Sequence, residues 1–182
     1  MKALSSSPSH GVRGEPATGL DLAPLETAGA GCGFHILALD LATQTGWACT
    51  SYDVVLSGTV SFKGGRFEGG GMRFLRFRKW LRETLDVLKP SAVFYEEVRR
   101  HLSTDAAHVH GGLLAVMQSE LEARNIPYLG IPVSTIKKTA TGKGNADKAA
   151  MVAAAKAKWP EQAISDDNQA DALWIMEAAK NL

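Results

Sequence analysis

The chain has 182 residues, 45% of them hydrophobic, and a formal net charge of +1, which suits one well-buried domain and is too short for two of ordinary size. No apolar run approaches the roughly 20 residues needed to cross a bilayer, and Met1-Lys2-Ala3-Leu4 followed by serines lacks the apolar core of a secretory signal. Two cysteines, Cys32 and Cys49, form neither a disulfide framework nor a metal-ligand spacing, so both are expected to be reduced, in a cytoplasmic protein with no membrane partner. The small net charge hides an asymmetry. Of the 20 Lys and Arg, 17 lie between Lys63 and Lys158, with only 9 of the 19 Asp and Glu, an excess of eight positive charges. A basic middle suits a polyanion and outlying acids suit divalent cations, but an ordinary solvated surface gives the same count, and composition alone leaves both open.

Residues 1–33 are rich in Ser, Pro, Gly and Ala without a sustained period, and read as a flexible leader to an ordered domain over 34–182. His35 to Asp40 is a short apolar run of buried-strand type. A turn at Thr43-Gln44-Thr45-Gly46 leads to a second strand over Gly46 to Thr50, and a third follows at about Val54 to Phe62. The Gly-rich stretch Gly64 to Gly71 reads as a loop. Phe74, Phe77, Leu81, Leu85 and Leu88 then recur at helical spacing until Pro90. A fourth strand fits Ala92 to Val98, a long helix Thr104 to Arg124 capped by Ser103 or Thr104, and a fifth strand Ile126 to Ile131. Ser134 is placed to cap a short helix through Lys138, and Asn145 to open another through Lys158. The last helix starts near Asp166. This order predicts an α/β fold with a mixed five-stranded sheet, a three-strand antiparallel meander extended by parallel strands and flanked by helices.

Three separate segments supply acids. Asp40 ends the first strand, where a carboxylate projects into a crevice; binding turn amides is its plain alternative. Glu96 and Glu97 interrupt the apolar fourth strand, and alternation requires one of them to share the face of Phe94. In the last helix Asp166 reads as an N-cap, while Asp167 and Asp171, four apart, share a face. Asp171 stands among Ala170, Ala172 and Leu173, where an uncompensated acid is costly. Divalent cations compensate such acids, and so do salt bridges; spacing does not choose between them.

Ile36-Leu37-Ala38-Leu39-Asp40 with Thr45-Gly46-Trp47-Ala48 resembles the opening hairpin of RuvC-type Holliday junction resolvases of the RNase H-like superfamily. Tyr95-Glu96-Glu97-Val98 resembles the second acidic motif, with Glu96 in the ligand position, and Ala170-Asp171-Ala172-Leu173 the C-terminal one. Ile136-Lys137-Lys138-Thr139 and Gly142-Lys143-Gly144-Asn145-Ala146-Asp147-Lys148 resemble the basic segment between them, where Lys137 and Lys148 match junction-binding lysines. The likeness spans roughly Phe34 to Leu182, and four motifs in order are more specific than any one.

The resemblance implies an RNase H-like fold and a Mg2+-dependent endonuclease acting in DNA recombination and repair, in a bacterial cell or a phage-infected host. Two ions, replaceable by Mn2+, would be held by Asp40, Glu96 and Asp171. The family's acid or histidine three residues before the last aspartate is here Asn168, so Asp167 and Asn168 are both candidates for the fourth ligand. A family aromatic three residues after Glu96 is here Arg99, which with Arg100 is a candidate DNA contact.

Lys137, Lys138, Lys143 and Lys148 flank a Gly-containing loop and a helix start whose amides suit phosphate. Arg73, Arg76, Arg78, Lys79 and Arg82 read rather as the solvated face of the first helix. His101, His108 and His110 lack zinc spacing and read as structural or exposed. The implied partners are a four-way DNA junction and a second copy of the chain, packed through the long helix near Leu113 to Leu121. Rival readings are a nuclease of the same fold acting on flaps, RNA–DNA hybrids or replication and packaging intermediates, an actin-like ATPase, and a non-catalytic DNA-binding module.

Overall fold

A computed structural model describes residues 35–51, 54–98 and 103–182. The leader expected over 1–33, and Arg99, Arg100 and His101, lie outside them. In chain order the elements are β1 (Ile36–Asp40), β2 (Gln44–Ser51), β3 (Val54–Ser61), α1 (Met72–Leu88), β4 (Ala92–Glu97), α2 (Thr104–Glu122), β5 (Tyr128–Pro132), α3 (Val133–Thr141), α4 (Lys148–Lys158) and α5 (Asp167–Ala179). The strands lie in the order β3-β2-β1-β4-β5. β1 to β3 form the predicted antiparallel meander, and β4 and β5 extend it in parallel.

Alternation along the strands divides the core in two. Ile36, Ala38, Ala92 and Phe94 face α3, α4 and α5. Leu37, Leu39, Val93, Trp47 and Cys49 face α1 and α2. On that second side Phe77 and Leu81 of α1 and Leu113, Met117 and Leu121 of α2 are fully buried. The last three therefore serve the chain's own core, while on the other side of the same helix Gly111, Ala115 and Ser119 are exposed and Leu114 and Gln118 half-buried, which leaves α2 a surface for the second copy expected there. Among the described residues no helix is long and apolar enough to cross a membrane.

Several boundaries move for local reasons. Gln44 and Thr45 already belong to β2, so the turn after β1 shrinks to Leu41–Thr43, closed by the Thr45 hydroxyl donating to the Ala42 carbonyl at 2.7 Å. Ser134 lies inside α3, which starts after Pro132 without a side-chain cap. α4 is capped by Asp147, whose carboxylate accepts the Ala150 N–H at 2.8 Å, rather than opened by Asn145. Lys89 ends α1 in the left-handed region, at φ 45°, ahead of Pro90, which cannot continue a helix.

Arg78, Lys79 and Arg82 of α1 are exposed, as their spacing implied, and two of them also reach a buried acid. Arg78 and Arg82 both donate to Glu120 of α2, at 2.6 and 2.8 Å, and Glu120 is only 4% exposed. The Arg82 and Arg78 guanidiniums hold this carboxyl below the usual glutamate range. A carboxylate lowered by folding adds stability above its unfolded value, and the contribution is lost as pH falls through the folded one. Glu120→Gln should cost about 1–2 kcal/mol at pH 7. In urea unfolding followed across pH, that deficit should shrink below the glutamate range.

Candidate metal centre and nucleic-acid interface

Asp40 continues the alternation of Ile36 and Ala38, and so faces α5. β4 runs parallel beside β1 with Leu39 opposite Tyr95, which places Glu96 on the same face, next to Asp40. This register chooses Glu96 over Glu97.

α5 is brought to that face by its first turn. The Asp166 carboxylate caps it, accepting the Gln169 N–H at 2.8 Å and the Thr59 hydroxyl at 2.7 Å. Gln169, 5% exposed, donates to the Ser57 hydroxyl at 3.0 Å and accepts the Ser165 N–H at 2.9 Å. The helix start is thus fastened to β3, while Gly46 of β2 lets it come close: a Cβ at Gly46 would stand 1.9 Å from the Asn168 carbonyl oxygen. One turn further on, Asp171 comes to line the same cavity as the strand carboxylates.

Asp40, Glu96, Asn168 and Asp171 line one cavity of about 450 Å3 together with Lys137 of α3 and Lys148 of α4, against apolar walls that include Ile136, Met151 and Ile175. Burial raises the Asp40 carboxyl well above its ordinary range, and the charges of Glu96 and Asp171 push it further. Burial also raises Glu96, against the pull of Lys137 and Lys148. Asp171 is pushed up to about 6, by burial first and Glu96 second. Among the described residues no three acid, histidine or cysteine side chains stand in position to hold one metal ion together; what Asp40, Glu96 and Asp171 share is the cavity.

Asp167 behaves differently. Its carboxylate pairs with the Lys148 ammonium, which holds it below its ordinary range, and it does not line this cavity, whereas Asn168 does. Lys138 and Lys143 are exposed and stand outside the cavity lining. Thus Asp40, Glu96, Asp171, Asn168, Lys137 and Lys148 are brought together. Asp167, Lys138 and Lys143 lie around them.

Two features had no clear signal in the sequence. One is Gly46, whose role depends on what crosses it. The other is an adjoining cavity of about 620 Å3, walled by Leu41, Val109, Arg73 and His110 and sharing Ala42, Val98, Ala106 and Asn168 with the first. His110 is buried, with Nδ1 3.0 Å from the Leu41 carbonyl oxygen. A carbonyl only accepts, so this nitrogen carries the proton and ties α2 to the residue after Asp40. His108 is exposed.

With this geometry the chain shows the RNase H-like fold of RuvC-type resolvases. It is similar to Thermus thermophilus RuvC solved with a Holliday junction substrate, at TM-score 0.69 and 19% identity over 80% of this chain and 92% of that one. A second T. thermophilus RuvC structure matches at TM-score 0.64 and 19% identity, over 79% and 92% of the two chains. The yeast mitochondrial Holliday junction resolvase Ydc2 matches at 0.55 and 16%, over 79% and 76%. No protein-family model and no curated protein matches the sequence.

Gly46→Ala should cost about 3 kcal/mol, the upper end for overpacking, because the Cβ meets backbone that no rotamer change can move; thermal unfolding will measure it. Asp171→Asn should act the other way in chelator. A carboxyl raised by folding adds stability that is complete below the unfolded value and lost as pH rises through the folded one, here from 3.8 to about 6. The variant should therefore melt above wild type at pH 8, with the gap closing below pH ~4.

Proposed function

We propose that the chain is a divalent-metal-dependent endodeoxyribonuclease that cuts four-way junctions or closely related branched DNA. The reading is carried by one observation: Asp40, Glu96 and Asp171, from two strands and a distant helix, share one cavity with two lysines. The donor set fits a hard cation such as Mg2+, with Mn2+ able to replace it, because every candidate ligand is oxygen and burial leaves the carboxylates short of positive charge. Bound divalent cations would supply an activated water and stabilise charge on the leaving 3′ oxygen.

Asp40, Glu96 and Asp171 would hold the ions. Asn168 is the better fourth oxygen, since the Asp167 carboxylate is occupied by Lys148. Asp167 thereby positions the Lys148 ammonium at the cavity, where with Lys137 it can grip the scissile phosphate. Lys138 and Lys143 widen the basic rim, so affinity should fall steeply with salt. The junction held by one of the similar structures supports branched DNA as substrate. Symmetrical cutting of two strands calls for a second copy of the chain.

Asp40→Asn should reduce Mg2+-dependent cleavage of a four-way junction by about 100-fold or more while leaving junction affinity within about threefold. Gel assays on a junction, a flap, a linear duplex and an RNA–DNA hybrid test the substrate class in the same experiment. Cleavage at the wild-type rate by Asp40→Asn would remove the metal-nuclease reading, and preference for the hybrid or flap would replace the junction.

A further inference from the structure

The loop between β3 and α1 is built to hold one aromatic ring in water. Its base is anchored: Phe62 is 2% exposed and packs edge-on against Phe77, ring centroids 5.3 Å apart, while its N–H donates to the Thr43 carbonyl at 2.8 Å. Its middle is braced. Glu68 accepts the Gly65 N–H at 2.7 Å and pairs with the Arg76 guanidinium, which also donates to the Lys63 carbonyl at 3.2 Å. Between these ties Phe67 stands 95% exposed, with the Arg66 guanidinium 5.7 Å from its ring centroid. Among the described aromatic residues it is the only one so exposed. The braces therefore fix the loop without using the ring, and removing the ring leaves the core untouched.

Location and charge point to an occupant. β3 ends at Ser61 opposite Gln44, and two pairs inward Thr59 lies across from Gly46, itself the partner of Asp40. The loop thus leaves edge strand β3 at the same end of the sheet as Asp40, two strands away. From Lys63 to Arg76 the chain carries four cations, Lys63, Arg66, Arg73 and Arg76, against the single anion Glu68. An exposed ring beside a guanidinium, in a cationic segment, suits a planar base attached to phosphate. Paired bases inside a duplex offer no free face.

We propose that Phe67, assisted by Arg66, stacks on an unpaired or unstacked base of the branched substrate and so contributes to its selection over linear duplex. This rests on the nuclease reading above, but Phe67 lies outside the cavity that would carry the chemistry.

The test compares the full-length wild type, Phe67→Ala, Phe67→Tyr and Phe67→Trp in chelator, binding a four-way junction and a linear duplex of equal length. Phe67→Ala should lose about tenfold in affinity for the junction and little for the duplex, while Phe67→Tyr keeps junction binding. The four native tryptophans are all buried, so Phe67→Trp adds one exposed indole, whose fluorescence should be quenched by the junction and not by the duplex. Equal junction binding by wild type and Phe67→Ala, equal losses on both DNAs, or an indole that no DNA quenches would overturn the inference while leaving the nuclease reading intact. Failure of the wild type to bind either DNA would overturn both.

Discussion

Everything at the candidate centre depends on how near the backbone of α5 comes to β2. The Asn168 carbonyl oxygen occupies space that a side chain at position 46 would need, and the helix then continues across the sheet with Ala170, Ala172 and Leu173 fully buried. Small residues allow the approach, and the polar ties from Asp166 and Gln169 to β3 set where along the strands the helix begins. Asp171 shares a cavity with Asp40 and Glu96 because of that placement. A helix held a few ångströms further out would carry the same acid to no partner.

Bringing acids together in this way has an electrostatic cost, visible in the upward displacement of Asp40, Glu96 and Asp171. Lys137 and Lys148 offset part of it, and Lys148 is itself steered by Asp167. The opposite side of the sheet handles charge in another manner. There Glu120 is enclosed between two arginines and its charge is satisfied within the protein. The contrast distinguishes an ion pair that locks two helices from a carboxylate group left with unspent negative charge beside a cavity, the arrangement in which a bound cation gains most.

The likeness to T. thermophilus RuvC and to Ydc2 concerns chain path, at identities of 19% and 16%, and one fold can host many activities. The functional reading therefore rests on side chains: which carboxylates share a face, which are already paired, and where the free cations stand. Asn168 illustrates the difference. Its neighbour Asp167 has the more obvious ligand chemistry, yet that carboxylate is paired with Lys148 and only Asn168 of the two lines the cavity.

Much of this was legible in the chain itself. Period-two runs and turn residues marked the strands, period-four leucines marked α1 and α2, and Asp40, Glu96 and Asp171 stood out because acids in apolar surroundings demand compensation. Cap positions were less legible: Ser134 and Asn145 have the right chemistry for caps, but Pro132 and Asp147 sit where the backbone turns. The inward sense of Leu113, Met117 and Leu121 came from packing, since an apolar stripe looks the same whether it meets its own sheet or another subunit. The order of elements and the acids that needed partners can be read from the chain, because periodicity and local chemistry are properties of neighbouring residues. That Gly46 admits α5, that Lys148 claims Asp167 and that Phe67 stays in water follows from folding alone, because each depends on groups that meet through space.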